Sequence, residues 1–112
     1  MAKYSAPLTS NTTVYLCDVH KPIDYPFWFG TVFIYGSTFG GGTVTLQASP
    51  DGGTTKINMP DLSGATVSVT ANTLLNAQLG VPGKNSDTIK LYATMTGGTS
   101  PSVTIDLFDN KG

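Results

Sequence analysis

Apolar Val44, Leu46 and Ala48 alternate with polar Thr43, Thr45 and Gln47, a period of two that puts one set on each face of a strand. Ser49-Pro50-Asp51-Gly52-Gly53 follows. Proline fixes φ there, the aspartate can bond its own backbone and a glycine can take φ > 0, so the chain turns back and 54–59 returns as the partner strand. The same period recurs elsewhere. Val14 and Leu16 oppose Tyr15 and Cys17 over 12–19, Val67 and Val69 alternate over 65–71, and Ile89, Leu91, Ala93 and Met95 over 87–96. Val103, Ile105 and Leu107 point one way over 102–108, so 87–96 and 102–108 read as a C-terminal hairpin. Residues 31–36 (TVFIYG) are apolar on both faces and read as a central strand. Residues 72–80 fit a short helix capped by Asn72 with Leu75 and Leu79 one turn apart, or a strand alternating at Leu75, Ala77 and Leu79. Their β surroundings favour the strand.

About eight strands with turn signals every ~8 to 12 residues predict an all-β fold, an antiparallel β-sandwich. A jelly roll is the first expectation and an immunoglobulin-like sandwich the second; the lack of paired cysteines counts against an antibody-type domain. At 112 residues the chain holds one core. Residues 1–11, which include Pro7 and show no period, read as an extended N-terminal arm. Residues 12–108 form the domain and 109–112 a polar tail.

Charge narrows the function. Only 12% of residues are charged, the net charge is −1, and the six basic residues are all lysines spread from Lys3 to Lys111. No basic stripe exists to displace counterions from phosphates, so nucleic acid is not an expected partner. No apolar run approaches the ~20 residues of a membrane helix, and no signal-peptide core is visible near Met1, so synthesis in a cytoplasm is expected without membrane association. A surface of Gly, Thr and Ser desolvates cheaply and suits packing against other molecules; the preference of Thr for strands accounts for the same composition.

Catalytic chemistry is hard to assemble from these residues. His20 is the single histidine, and Cys17 nearby shares no simple hydrogen-bond geometry with it in a strand. Cys17 is the single cysteine, which rules out an intramolecular disulfide or a thiolate zinc cluster and reads as a small buried apolar group. All seven acidic residues are aspartates, none spaced as in a calcium loop. Gly40-Gly41-Gly42 lacks the Lys-Ser or Lys-Thr of a phosphate-binding loop. No enzyme activity, cofactor or metal is expected.

The segment from His20 to Gly30 is the most unusual. Pro22 and Pro26 keep it out of helix and of any central strand, yet Tyr25, Phe27, Trp28 and Phe29 fall within five positions. Rings of this size either plug one end of a sandwich, the reading for Phe27 and Phe29, or contact a partner, for which the amphipathic Tyr25 and Trp28 are better suited. With Lys3, Tyr4 and Pro7 of the arm, these four are the candidate partner-binding residues. Used as sugar-stacking platforms, Tyr25, Trp28 and Tyr92 would instead make a carbohydrate- or receptor-binding module.

Residues 43–69, TVTLQASPDGGTTKINMPDLSGATVSV, with their SPDGGTT turn, resemble small structural proteins encoded among the head and tail genes of tailed bacteriophages. The resemblance covers about a quarter of the chain. It implies a virion component, most like a capsid decoration or cement protein of jelly-roll or related fold. Such a protein is often a homotrimer, bound outside the shell where copies of the major capsid protein meet. A tail-tube or neck component is the neighbouring alternative, marked by ring-forming stoichiometry.

Overall fold

The computed structural model describes residues 2–19, 27–80 and 89–109. Within them the chain is strand, turn and bend, with no helix. The strands are β1 (Ala2–Leu8), β2 (Thr13–Asp18), β3 (Phe27–Thr38), β4 (Thr43–Ser49), β5 (Ile57–Asn58), β6 (Ser68–Val69), β7 (Thr73–Gly80), β8 (Lys90–Thr96) and β9 (Ser102–Asp109). One sheet, here sheet A, runs β1-β9-β3-β7; the other, sheet B, runs β2-β8-β4-β5, with β6 also paired to β4. Every pairing is antiparallel.

The pairs β1 with β9, β2 with β8, β3 with β7 and β4 with β5 and β6 are those of one long hairpin folded at its middle. Rolling it so that successive strands fall in alternate sheets gives a jelly roll. The immunoglobulin order, in which the first two strands share a sheet, does not occur here: β1 and β2 lie in different sheets.

The inward positions follow the period of two. Leu8, Leu16, Trp28, Val32, Ile34, Val44, Leu46, Leu91, Met95, Ile105 and Leu107 are buried between the sheets, each stabilising by ~1.5 to 3 kcal/mol. Val67, Val69 and Ala77 are buried as their alternation predicts, and residues 73–80 are strand. Asn72, read as a helix cap in the alternative, accepts a hydrogen bond from the Gly36 backbone N–H at 3.0 Å. Cys17 is buried in the same core.

Several local expectations change. Phe27–Gly30, read as part of a segment kept out of any central strand, opens β3, which lies between β9 and β7. Residues 2–8 are not an arm: β1 pairs along its whole length with β9, from Ala2 opposite Asp109 to Leu8 opposite Val103. Strands β8 and β9 do not form a hairpin, because the chain between them crosses from sheet B to sheet A. The return strand expected at 54–59 shrinks to Ile57–Asn58, since Asp51 takes the Thr55 backbone N–H at 2.7 Å and Ser49 the Gly53 N–H at 2.8 Å. These bonds hold the intervening residues in a turn, with Gly52 and Gly53 both at positive φ. The strand expected at 65–71 is cut to Ser68–Val69 because Val67 donates to the Met59 carbonyl and Met59 to that of Leu46. Asp109, assigned to a tail, ends β9 and is buried.

Candidate interaction face

The two outer faces of the sandwich differ in chemistry. On sheet B the outward side chains form a polar ladder. Thr13 and Thr94 hydroxyls lie 2.8 Å apart, the Thr94 hydroxyl donates to Gln47 at 3.0 Å, and the Gln47 amide donates to Asn58 at 3.0 Å. Its tyrosines are already engaged. The Tyr15 hydroxyl donates to Asp18 at 2.6 Å, Lys90 pairs with the same carboxylate at 2.7 Å, and Lys56 lies 5.0 Å from the centre of the Tyr92 ring. The hydrogen bond from Lys90 to Asp18 raises the pKa of the ammonium, and desolvation followed by the bond to Asp18 pushes that of the Tyr15 phenol upward.

On sheet A the outward positions include four aromatic rings, Phe29, Phe33 and Tyr35 of β3 and Phe108 of β9, among polar neighbours. Strand β3 sends Trp28, Val32 and Ile34 into the core and therefore turns Phe29, Phe33 and Tyr35 outward, each more than a third exposed. Register places neighbours beside them: Lys3, Phe108, Thr31 and Asn76 make one row across the sheet, and Ser5, Asp106, Phe33 and Leu74 the next. Phe33 and Phe108 meet edge to face at 5.8 Å, and Lys3 stands 5.6 Å from the Phe108 ring centre. Leu62, from the loop after β5, joins Phe29, Asn76, Gln78 and Phe108 around an open groove of about 270 Å³.

One carboxylate sits in this face. Asp106 is buried, accepting from the Ser5 hydroxyl at 2.5 Å on one oxygen and from the Tyr35 hydroxyl at 2.7 Å on the other. These bonds, the Ser5 bond first, hold its pKa below the usual carboxylate value despite desolvation, and Lys3 contributes in the same direction. The bond to Asp106 raises the pKa of the Tyr35 phenol in turn.

The residues expected to bind a partner divide. Lys3 and Pro7 are exposed on sheet A and Phe29 is exposed beside its groove, whereas Tyr4 faces inward, half-buried against the core, where desolvation raises its phenol pKa. Trp28, assigned to outside contact, is a core residue with no exposed surface. Its indole lies over Gly30, where a Cβ would stand 2.5 Å from the ring, and its Nε1 donates to Asp109 at 3.5 Å. Strand alternation explains the exchange, since an inward Trp28 obliges Phe29, expected as a plug, to face out. Tyr25 and His20 lie outside the described residues, as does the side chain of Phe27. A sugar platform of Tyr25, Trp28 and Tyr92 therefore loses its tryptophan to the core.

Phe33, Tyr35, Phe108 and Leu74 were missed as a group. Their signal was present in TVFIYG: each sheet of a sandwich has one buried face, so a strand apolar on both carries more apolar surface than its own fold can cover. Among the described residues no three His, Cys, Asp or Glu side chains gather as a metal site.

No family model and no curated protein matches the chain. Solved structures of similar shape include a pentameric capsid protein isolated from metagenomic phage sequences, at 15% identity and a TM-score of 0.45, matching 93% of this chain and 59% of that one. Infectious bursal virus-derived T=1 particles match 95% of this chain and 28% of theirs, at 16% identity and a TM-score of 0.38. The VP2 subviral particle of infectious bursal disease virus matches 95% of this chain and 32% of its own, at 12% identity and a TM-score of 0.32. This chain thus spans less than two thirds of the length of each.

Proposed function

We propose that this chain is a structural protein of a virus particle, a decoration or cement protein that binds the outside of the major capsid shell and stabilises it. The observation carrying this reading is the aromatic outer face of sheet A, set against a polar sheet B whose side chains bond one another. Exposed Phe and Tyr on a rigid sheet are the residue types that anchor interfaces, and a net charge of −1 leaves little repulsion to overcome as copies crowd onto a shell. The jelly roll supports it by analogy of fold, being an architecture of capsid and lectin domains.

In this reading the protein is made in the bacterial cytoplasm, carries out no reaction and works by buried area. About 800 Å² per contact suffices when many symmetric copies act together. The homotrimer implied by the resemblance is one assembly such a face could serve, and the copy number on intact particles measures it.

The test is sedimentation of purified chain with shells of the major capsid protein from the same genome, comparing wild type with Phe33→Ser/Phe108→Ser. Both side chains point away from the core, so the variant keeps its Trp28 fluorescence; its shell-bound fraction falls at least tenfold. A folded variant that binds as well as wild type removes this face from the account.

A further inference from the structure

The four sheet edges are guarded unequally. An edge strand presents unpaired N–H and C=O groups at alternate residues, and proteins blunt such edges with charge, proline, bulges or shortness. β1 carries Lys3 and Pro7. β2 has a register shift between Tyr15 and Cys17 and ends at the Asp18 ion pair with Lys90. β5 and β6 are two residues each. β7, TLLNAQLG, is eight residues long with no charge and no proline, and its register against β3 is unbroken from Thr73 to Gly80. Among the described residues it is the one edge without a guard.

The surroundings of β7 point the same way. Leu74 on the strand is 58% exposed and Leu62 beside it 62%. Leu62 shares its groove with Asn76 and Gln78. Among the described residues, apolar surface thus flanks a row of backbone N–H and C=O groups on the free edge of sheet A.

We infer that β7 pairs antiparallel with β7 of a second copy of this chain, about a two-fold axis passing through Ala77. Residues directly opposite in an antiparallel pair lie on the same face of the sheet, so an axis through a residue keeps inward positions with inward ones. Centred on Ala77, the register sets Leu75 opposite Leu79 on the inner face. It sets Asn76, whose Oδ1 accepts from the Thr31 hydroxyl of its own chain at 3.0 Å and whose amide N–H groups can donate across the pair, opposite Gln78 on the outer face. Centred instead on Asn76, it would oppose Leu74 to Gln78 and Thr73 to Leu79, a poorer match. Self-pairing also brings no like charges together, since the strand has none. The result is an isologous dimer in which two four-stranded sheets become one continuous sheet. This inference stands apart from capsid binding, because its partner is the chain itself and its test contains no shell.

Analytical ultracentrifugation of the wild type across a concentration series reads the association, with Trp28 fluorescence confirming the fold of each variant. Wild type forms a concentration-dependent dimer. Asn76→Lys/Gln78→Lys, which sets lysine opposite lysine in the Ala77-centred register, weakens it at least tenfold. Mixing that variant with Asn76→Asp/Gln78→Asp restores a mixed dimer that neither forms alone. Should the double lysine variant fail to fold, Gln78→Lys alone mixed with Asn76→Asp asks the same question. A wild type that stays monomeric, a trimer without dimers, dimers indifferent to the lysines, or no recovery on mixing would each overturn the pairing.

Discussion

Asp106 shows how one side chain links the exposed face to the stability of the fold. Its oxygens are taken by Ser5 of β1 and Tyr35 of β3, so the carboxylate on β9 ties together three adjacent strands. Both bonds favour the charged form, and the folded-state pKa is lowered. The unfolded chain, with an ordinary Asp value of about 3.9, then binds the proton more readily than the native state does. The contribution is therefore complete above about pH 4 and is lost as pH falls through the lower folded value. Asp51, through the Thr55 backbone N–H, and Asp61, through the Ser63 hydroxyl, are lowered as well, so wild type alone cannot isolate the effect. Urea midpoints at pH 6 and pH 3 for wild type and Asp106→Asn do so, with wild type losing more between the two pH values. Equal losses would mean that the Ser5 and Tyr35 bonds carry no such coupling.

At the scale of elements, β1 and β3 show what period alone leaves open. Tyr4, Ala6 and Leu8 do alternate inward along β1, but an alanine in the middle, a lysine and a proline make a weak apolar stripe, and an edge strand tolerates all three. Nothing local reveals that its partner lies about a hundred residues away, at Asp109 to Val103. In β3 the strand was legible but its sidedness was not: TVFIYG is apolar either way round, and the buried face was decided by Trp28 fitting over Gly30. A one-residue shift in that choice exchanges every outward residue of β3 for a core residue. The reassignment of β1 changes what its removal does. Deleting residues 2–8 strips Leu8 and Ala6 from the core and bares β9, a strand paired on both sides. Leu8 alone is worth ~1.5 to 3 kcal/mol against a typical net stability of ~5 to 15 kcal/mol. The deletion is expected to leave much of the chain unfolded, read by loss of the cooperative Trp28 transition. An unchanged urea midpoint would return these residues to the status of an arm.

For the whole molecule, strand count, antiparallel character and inward residues could be read from alternation and turn chemistry, because both are local. Which strand pairs with which could not, and the false β8–β9 hairpin is the instance: adjacent strands with a Gly-Pro turn between them suggest direct pairing, yet closing the roll requires them in opposite sheets. The same non-locality governs folding. Apart from the short pairings of β4 with β5 and β6, every ladder joins strands distant in sequence, so loop-closure entropy is spent before most contacts form. Trp28, the single tryptophan, is a direct probe of that closure, since Leu16 and Leu91 of sheet B and Val32, Ala77 and Leu107 of sheet A surround it. Its fluorescence reaches the native value only when both sheets have met. Stopped-flow refolding from urea should therefore recover the native Trp28 signal on the millisecond-to-second scale of β-sandwiches, with a slower fraction of tens of seconds from proline isomerisation. Complete recovery within microseconds would require a local nucleus around Trp28, and the long-range pairing of β3 with β7 and β9 could not supply one.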